Sequence, residues 1–166
     1  MELRLHSHRW IPRQADMVVA AIAGFGAGGI LMLAELAFSA AMGLDPWRAP
    51  RLIAALLMGH EVLQDGGYSL SVLTSALIVH YLLGMAFAMV LAAVIAPFRL
   101  DSSLGMVLMA GFMFGLLLYL FNFYLMTSVL PWFVELRGGY TLLGHVVFGM
   151  AAAFIYRMLE RPGRQA

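Results

Sequence analysis

The sequence predicts an all-α membrane protein with four transmembrane helices, arranged as two parallel-repeat helical hairpins. Apolar residues make up 63% of the 166 residues and charged residues 11%, against about 45 to 50% and about 25% in globular domains. The mean hydropathy is +0.89. Because so few polar residues could not cover a soluble fold, residues 1–166 are expected to form a single transmembrane domain. An internal duplication predicts how the helices pair.

Four long apolar stretches predict the four spans, each reaching about the 20 residues that cross a bilayer. Their boundaries are about 17–43, 71–96, 104–130 and 139–158. Pro97 and Pro131 follow the second and third spans, as expected of residues that cannot continue a helix. A cleaved secretory signal is the alternative for the first stretch, but signal cores have only about 7 to 15 apolar residues.

The arginines predict the orientation, since all ten basic residues are arginines. Three flank the span ends on the side of the long first connection, and seven flank the span ends on the opposite side. Because basic residues accumulate on the cytoplasmic side, both termini are expected in the cytoplasm. The seven are Arg4, Arg9, Arg13, Arg99, Arg157, Arg161 and Arg164, and the three are Arg48, Arg51 and Arg137.

The first outer connection, residues 44–70, is longer than the others. Pro50 is expected to start a short helix that runs through Val62. Its apolar run is too brief to cross the bilayer, so residues 50–62 lie either on the outer surface or in a re-entrant cap. The Gly66-Gly67 pair is expected to end it.

Two parts of the chain, 17–96 and 104–158, share an ordered set of residues and predict an internal repeat. At an offset of 87 positions, Gly24 and Gly28 match Gly111 and Gly115; at an offset of 65, His80 and Gly84 match His145 and Gly149. The difference between the two offsets, 22 residues, lies in the first outer connection. Both hairpins would enter the membrane from the same side, so a pseudo-twofold axis along the membrane normal should relate them.

Four polar side chains are expected to form one layer inside the bundle: Glu35, His80, Asn122 and His145. Each lies at helical spacing from the glycines of its own span. At 1.5 Å per residue, all four are roughly 10 to 13 Å below the outer surface. The glycines that allow close helix packing are Gly24, Gly28, Gly84, Gly111, Gly115 and Gly149.

A structural role is one interpretation of this polar layer. Glu35 could hydrogen-bond His80, and Asn122 could bond His145, which would hold each hairpin together by about 0.6 to 2 kcal/mol per contact. The chain would then be a structural or accessory subunit of the membrane. Its partners would be the lipid bilayer and either other membrane subunits or a second copy in a homodimer.

Two cofactor hypotheses use the same side chains. His80 and His145 could ligate the iron of haem b from its two faces, with Gly84 and Gly149 leaving room for the porphyrin. Glu35, His80 and His145 form a two-histidine, one-carboxylate set suited to a divalent metal such as zinc, manganese or iron. The chain has no cysteine, so thiolate sites and c-type haem attachment are excluded.

Proton movement is a further interpretation, because a buried glutamate near a histidine is suited to a proton relay. With haem or metal bound, the chain would be an electron or proton carrier; without them it would be a small transporter that works as a dimer. The small multidrug resistance transporters are similar in having four spans and a glutamate in the first. This chain departs from them in its longer outer connection, its parallel duplication and its seven-to-three arginine bias, so the likeness is superficial. The sequence contains no HExxH, GxSxG or P-loop motif, so an enzyme is not expected. Nothing in its charge pattern indicates nucleic-acid binding.

Three segments carry a resemblance to a known family. They are AGFGAGG at the start of the first span, VHYLLGMA in the second and GHVVFGMAAAFIYRM in the fourth. With these segments the whole chain resembles the YagU-like four-helix proteins of the bacterial inner membrane. The resemblance implies a multi-pass protein of that membrane and implies no particular activity.

Overall fold

The computed structural model of the protein describes residues 13–64 and 69–160. Several residues used in the sequence analysis lie outside this described part. They are Arg4, Arg9, Gly66, Gly67, Arg161 and Arg164.

The described chain contains five α-helices and no strand, and four of its helical segments are long and apolar enough to cross a membrane. These four are Met17–Met42, Leu70–Phe98, Leu104–Ser128 and Gly139–Leu159. The prediction of an all-α protein with four membrane-spanning helices is therefore confirmed. The helices are α1 (Met17–Met42), α2 (Arg48–Met58), α3 (Leu70–Phe98), α4 (Leu104–Leu120) and α5 (Gly139–Leu159).

Helix ends follow from capping side chains and from one glycine. The Asp16 carboxylate accepts the backbone N–H groups of Val18 and Val19 at 3.1 Å, which satisfies free donors at the start of α1. The Ser103 hydroxyl does the same for Met106 at the start of α4. Gly43 ends α1 in the left-handed conformation, with φ at 63°, which a residue with a Cβ rarely adopts.

Two of the predicted span ends differ from the structure. Pro97 does not follow the second span but lies in the last turn of α3, which ends at Phe98. The third span leaves α-helical geometry early: one turn of π-helix, Phe121–Leu125, and a short 3₁₀ turn, Met126–Ser128, complete it. The π turn contains Asn122, so the wider turn sets the direction of that side chain.

The helices pack as two hairpins, α1 with α3 and α4 with α5. The hairpins are joined mainly through α1 and α5, whose small residues Ala23, Ala27, Ala152 and Ala153 are buried in the shared core. Helices α3 and α4 scarcely touch. A true twofold axis would make the α3–α4 contact equal to the α1–α5 contact, so the arrangement departs from the predicted symmetry.

Ionic contacts tie together three chain segments at the end of the bundle near Arg13. The Arg13 guanidinium lies 2.6 Å from the Asp101 carboxylate and 2.9 Å from that of Glu160. The Tyr156 hydroxyl donates to Glu160 at 3.0 Å and accepts from the Asp16 backbone N–H at 3.2 Å. These contacts join the start of α1, the α3–α4 loop and the end of α5.

The opposite end of the bundle is covered by α2 and by the 3₁₀ turn Pro131–Leu136, which we call the cap. Helix α2 packs against α3 through Ala54 and Ala76. The Trp132 indole N–H donates to the carbonyl oxygen of Leu52 at 3.2 Å, linking the two parts of the cap. The predicted short helix of residues 50–62 is thus α2 followed by a 3₁₀ turn, His60–Leu63.

Candidate functional site

Glycines bring the two helices of each hairpin into backbone contact. A Cβ placed on Gly24 would strike the carbonyl group of Gly84 and lie 2.7 Å from Cβ of Ala88. In the second hairpin, a Cβ on Gly111 would strike the carbonyl group of Gly149. Only glycine permits this approach. The two pairs that the sequence aligns therefore make corresponding contacts.

The next glycine along each hairpin faces the predicted histidine. A Cβ on Gly28 would lie 3.5 Å from Nε2 of His80. A Cβ on Gly115 would strike the carbonyl oxygen of His145 and lie 2.7 Å from Cα of Val146. The first hairpin thus has room for the His80 ring beside Gly28, whereas the second has backbone against backbone at this level.

His145 is held by hydrogen bonds at both ring nitrogens. Nδ1 lies 2.9 Å from the carbonyl oxygen of Thr141, which can only accept, so Nδ1 carries the hydrogen. Nε2 lies 3.3 Å from Nδ2 of Asn122, which can only donate, so Nε2 accepts. Asn122 and His145 are therefore joined directly, and neither nitrogen of the ring is left for a ligand.

His80 has a different partner from the one considered in the sequence analysis. Its Nε2 lies 2.9 Å from the carbonyl oxygen of Gly28 and donates to it. The hydrogen bond between Glu35 and His80 is not formed. Within the described residues, the Glu35 carboxylate has no hydrogen-bond or ion-pair partner. The interpretation that Glu35 holds the first hairpin together through His80 is therefore wrong for this structure.

All four residues of the predicted polar layer line one cavity of about 110 Å³. Its wall includes Glu35 from α1, His80 from α3, Asn122 from the π turn and His145 from α5. All four residues are half-buried. Thr141, which the sequence analysis did not single out, also lines the cavity. A single site thus draws one polar side chain from each membrane-spanning segment.

Apolar side chains close the cavity on the side of the cap. Ile53 and Leu56 of α2 and Phe133 of the 3₁₀ turn belong to its wall. Phe133 also packs with Tyr119 and Phe123 in a buried aromatic cluster. The sequence alone does not connect these residues with the polar layer, since their contact depends on how the long connection folds back over the bundle.

Tyr140 lies beside the site, next to Thr141 of the cavity wall. Its ring stacks on Phe38 with centroids 3.7 Å apart. Its hydroxyl is buried and has no hydrogen-bond partner among the described residues. The phenol interacts electrostatically with Glu35. An unpaired donor and an unpaired carboxylate therefore lie in the same region of the bundle.

The geometry does not fit either cofactor hypothesis. The cavity, at about 110 Å³, is well below the roughly 300 to 1,000 Å³ of sites for larger organic ligands, and a porphyrin would not enter it. Both nitrogens of His145 and Nε2 of His80 already have partners. Within residues 13–64 and 69–160, no three His, Asp or Glu side chains gather closely enough to hold a metal ion, so Glu35, His80 and His145 do not form the proposed ligand set.

Comparison with known proteins identifies no relative. No protein-family model matches the chain, and no curated protein or solved structure is similar to it.

Proposed function

We propose that this chain is a small multi-pass protein of the bacterial inner membrane that takes up and releases a proton at Glu35 in the polar cavity. The observation that carries the proposal is the carboxylate itself, which lines the cavity without a hydrogen-bond or ion-pair partner among the described residues. An ionisable side chain in a membrane span is costly, at about 2.5 to 3.5 kcal/mol on insertion scales. A partner would offset this cost, and Glu35 has no hydrogen-bond or ion-pair partner in the part of the chain that the structure describes.

The surroundings of Glu35 suit proton exchange better than structural bonding. The titratable side chains near it are His80 from α3 and Tyr140 and His145 from α5. Helix α2 contributes only apolar side chains to the cavity, and the π turn contributes the amide of Asn122. His80 keeps Nδ1 unpartnered in the described part of the chain, so it can accept a proton. Nδ1 of His80, in the wall of the same cavity, is thus an acceptor for a proton that Glu35 releases.

Infrared difference spectroscopy tests the proposal directly. The purified protein in lipid vesicles is cycled between acidic and alkaline buffer, and the carbonyl stretch of a protonated carboxylic acid is followed. We expect a band in the wild type that is lost in Glu35→Gln, which keeps the shape of the side chain but cannot ionise. Glu61→Gln is the matched control, because Glu61 is exposed outside the bundle. A wild-type difference spectrum that Glu35→Gln leaves unchanged would overturn the proposal.

The resemblance to YagU-like proteins and the distribution of arginines support the inner membrane and cytoplasmic termini. The role of a structural or accessory subunit stays a prediction from the sequence. The unpartnered Glu35 favours proton exchange over it, because a side chain kept only for helix packing should bond to a neighbouring helix.

A further inference from the structure

We infer that the polar cavity binds a small cation that donates N–H hydrogen bonds, of the class of protonated primary amines and guanidinium groups. This inference rests on the proposed function, because it assigns a ligand to Glu35 in its deprotonated form. The proton and the cation would then compete for one carboxylate.

The charge of the cavity is the first observation behind this inference. Among residues 13–64 and 69–160, Glu35 is the only acidic residue in the cavity wall, and no arginine of this part lines it. His145 donates from Nδ1 to the Thr141 carbonyl oxygen, and its Nε2 lies 3.3 Å from Nδ2 of Asn122, an arrangement that suits a neutral ring. The deprotonated cavity therefore carries an unbalanced negative charge in surroundings of low polarity, where attraction to a cation is strong.

The hydrogen-bonding groups left over are the second observation. Unused acceptors are the two Glu35 oxygens, the Asn122 side-chain oxygen and Nδ1 of His80. The histidine N–H groups are already donated to backbone carbonyl oxygens. Among the described residues of the wall, only the second amide hydrogen of Asn122 and the hydroxyl of Thr141 remain as donors, and the Tyr140 hydroxyl is one further unpaired donor beside the cavity. A ligand rich in donors satisfies this site, and an anion or a ligand with acceptors alone does not.

The size of the cavity is the third observation, and it limits the size of the ligand. A cavity of about 150 Å³ in a protein core is enough for benzene. The polar cavity has about 110 Å³ and is partly open, so the part of a ligand that lies inside it must be smaller than benzene. Methylammonium and guanidinium meet this limit.

The remaining wall is apolar and includes four aromatic rings. Phe87 of α3, Phe123 of the π turn, Phe133 of the cap and Phe148 of α5 all belong to it. The faces of such rings attract ammonium and guanidinium groups. The apolar wall thus adds to the preference for a cation and excludes strongly hydrated anions.

Thermal unfolding of the full chain in detergent micelles tests the inference. The pH is one at which the infrared measurement shows Glu35 to be deprotonated, and four salts or solutes are compared. Methylammonium and guanidinium are cations that donate N–H bonds. Tetramethylammonium is a cation without such donors, and urea has the shape and donors of guanidinium without its charge. Sodium chloride at the same concentration controls for ionic strength. We expect methylammonium and guanidinium, at concentrations too low to denature, to raise the unfolding temperature above the sodium chloride control.

The same titrations on Glu35→Gln separate the cavity from other cation sites. Loss of a charge-assisted hydrogen bond should weaken binding by about tenfold or more. Equal stabilisation of wild type and Glu35→Gln would overturn the inference, as would equal stabilisation by tetramethylammonium or urea. If methylammonium and guanidinium have no effect but the infrared band of Glu35 persists, the ligand assignment fails while the proposed proton exchange stands. If Glu35→Gln does not fold, the comparison of the solutes on the wild type still shows whether the protein prefers cations that donate N–H bonds.

Discussion

Gly24 of α1 and Gly84 of α3 are in backbone contact, but the contact is not equally tight from both sides. A Cβ on Gly24 would strike the Gly84 carbonyl group, whereas a Cβ on Gly84 would lie 3.2 Å from the Gly24 carbonyl oxygen. The first position has no free space and the second has a little. This difference makes the close packing of the first hairpin testable by single substitutions.

Gly24→Ala should destabilise the protein by about 1 to 3 kcal/mol, because the added methyl group must push two backbones apart. Gly84→Ala should cost clearly less, since a shift of a few tenths of an ångström accommodates it. Gly105→Ala is the control, with no atom within 4 Å of the added Cβ. The free energy of unfolding in mixed micelles measures all three. Equal decreases in the free energy of unfolding for Gly24→Ala and Gly105→Ala would contradict the packing described for α1 and α3.

The hydrogen bond between Asn122 and His145 should be visible in a double-mutant cycle. Replacing Asn122 by Ala, His145 by Ala, and both together should give a coupling free energy of about 0.6 kcal/mol, and at most about 1.7 kcal/mol, the range for bonds between membrane helices. The cycle of Asn122 with His80 is the control, because these side chains share no hydrogen bond in the described structure. A coupling of similar size in both cycles would argue against a specific bond.

Regular spacing explains why the sequence could predict much of this site. Glycines four residues apart lie on one side of a helix, so Gly24 and Gly28 had to face a neighbour together. Counting residues at 1.5 Å each placed Glu35, His80 and Asn122 at similar depth. The structure lines one cavity with these residues. Such inferences depend only on helix geometry, which apolar spans follow closely.

The partner of Glu35 could not be predicted in this way. Whether His80 turns toward Glu35 or toward the Gly28 carbonyl depends on side-chain rotamers and local space, which spacing does not contain. The asymmetry of the hairpins has a similar cause. The outer connection of the first half is longer than that of the second half. Helix α2 lies in this longer connection and packs on α3. An element without a counterpart removes the equivalence of α3 and α5.

The ionic contacts of Arg13 were also beyond the sequence analysis, which used this residue only for orientation. Arg13 is 88 residues from Asp101 and 147 from Glu160 along the chain. No periodic pattern links such distant positions. Their meeting follows from the shared length of the spans, which returns three chain segments to one end of the bundle.

Membrane orientation can be checked with reporter fusions. A fusion after Arg164 should report a cytoplasmic location and an insertion at Gly66 a periplasmic one, because seven of the ten arginines flank the former side. Alkaline phosphatase and green fluorescent protein provide opposite readouts at each site. A fusion after Glu160 repeats the first test within the described structure. Reversed signals at these sites would place the cap in the cytoplasm.

The stability of the protein should change with pH through Glu160. Removal from water by the surrounding residues raises the pKa of this carboxyl above its ordinary value, although the Tyr156 hydroxyl and the Arg13 guanidinium both act to lower it. The folded protein therefore binds this proton more tightly than the unfolded chain does. The stabilisation is complete below the ordinary pKa of about 4.3 and is lost as the pH rises through the raised value.

Glu160→Gln should remove this part of the pH dependence, because glutamine has no proton to lose. Arg13→Gln should extend the loss of stability to higher pH, since it removes a cation that lowers the pKa of Glu160. Unfolding temperatures measured in micelles between about pH 4 and about pH 8 compare the variants with the wild type. Glu135→Gln is the control, because that glutamate is exposed in the cap and pairs only with the exposed Arg48 within the described chain. An unchanged pH profile in Glu160→Gln would show that burial of this carboxyl does not govern stability, and the contacts around Arg13 would then act through the pairing with Asp101.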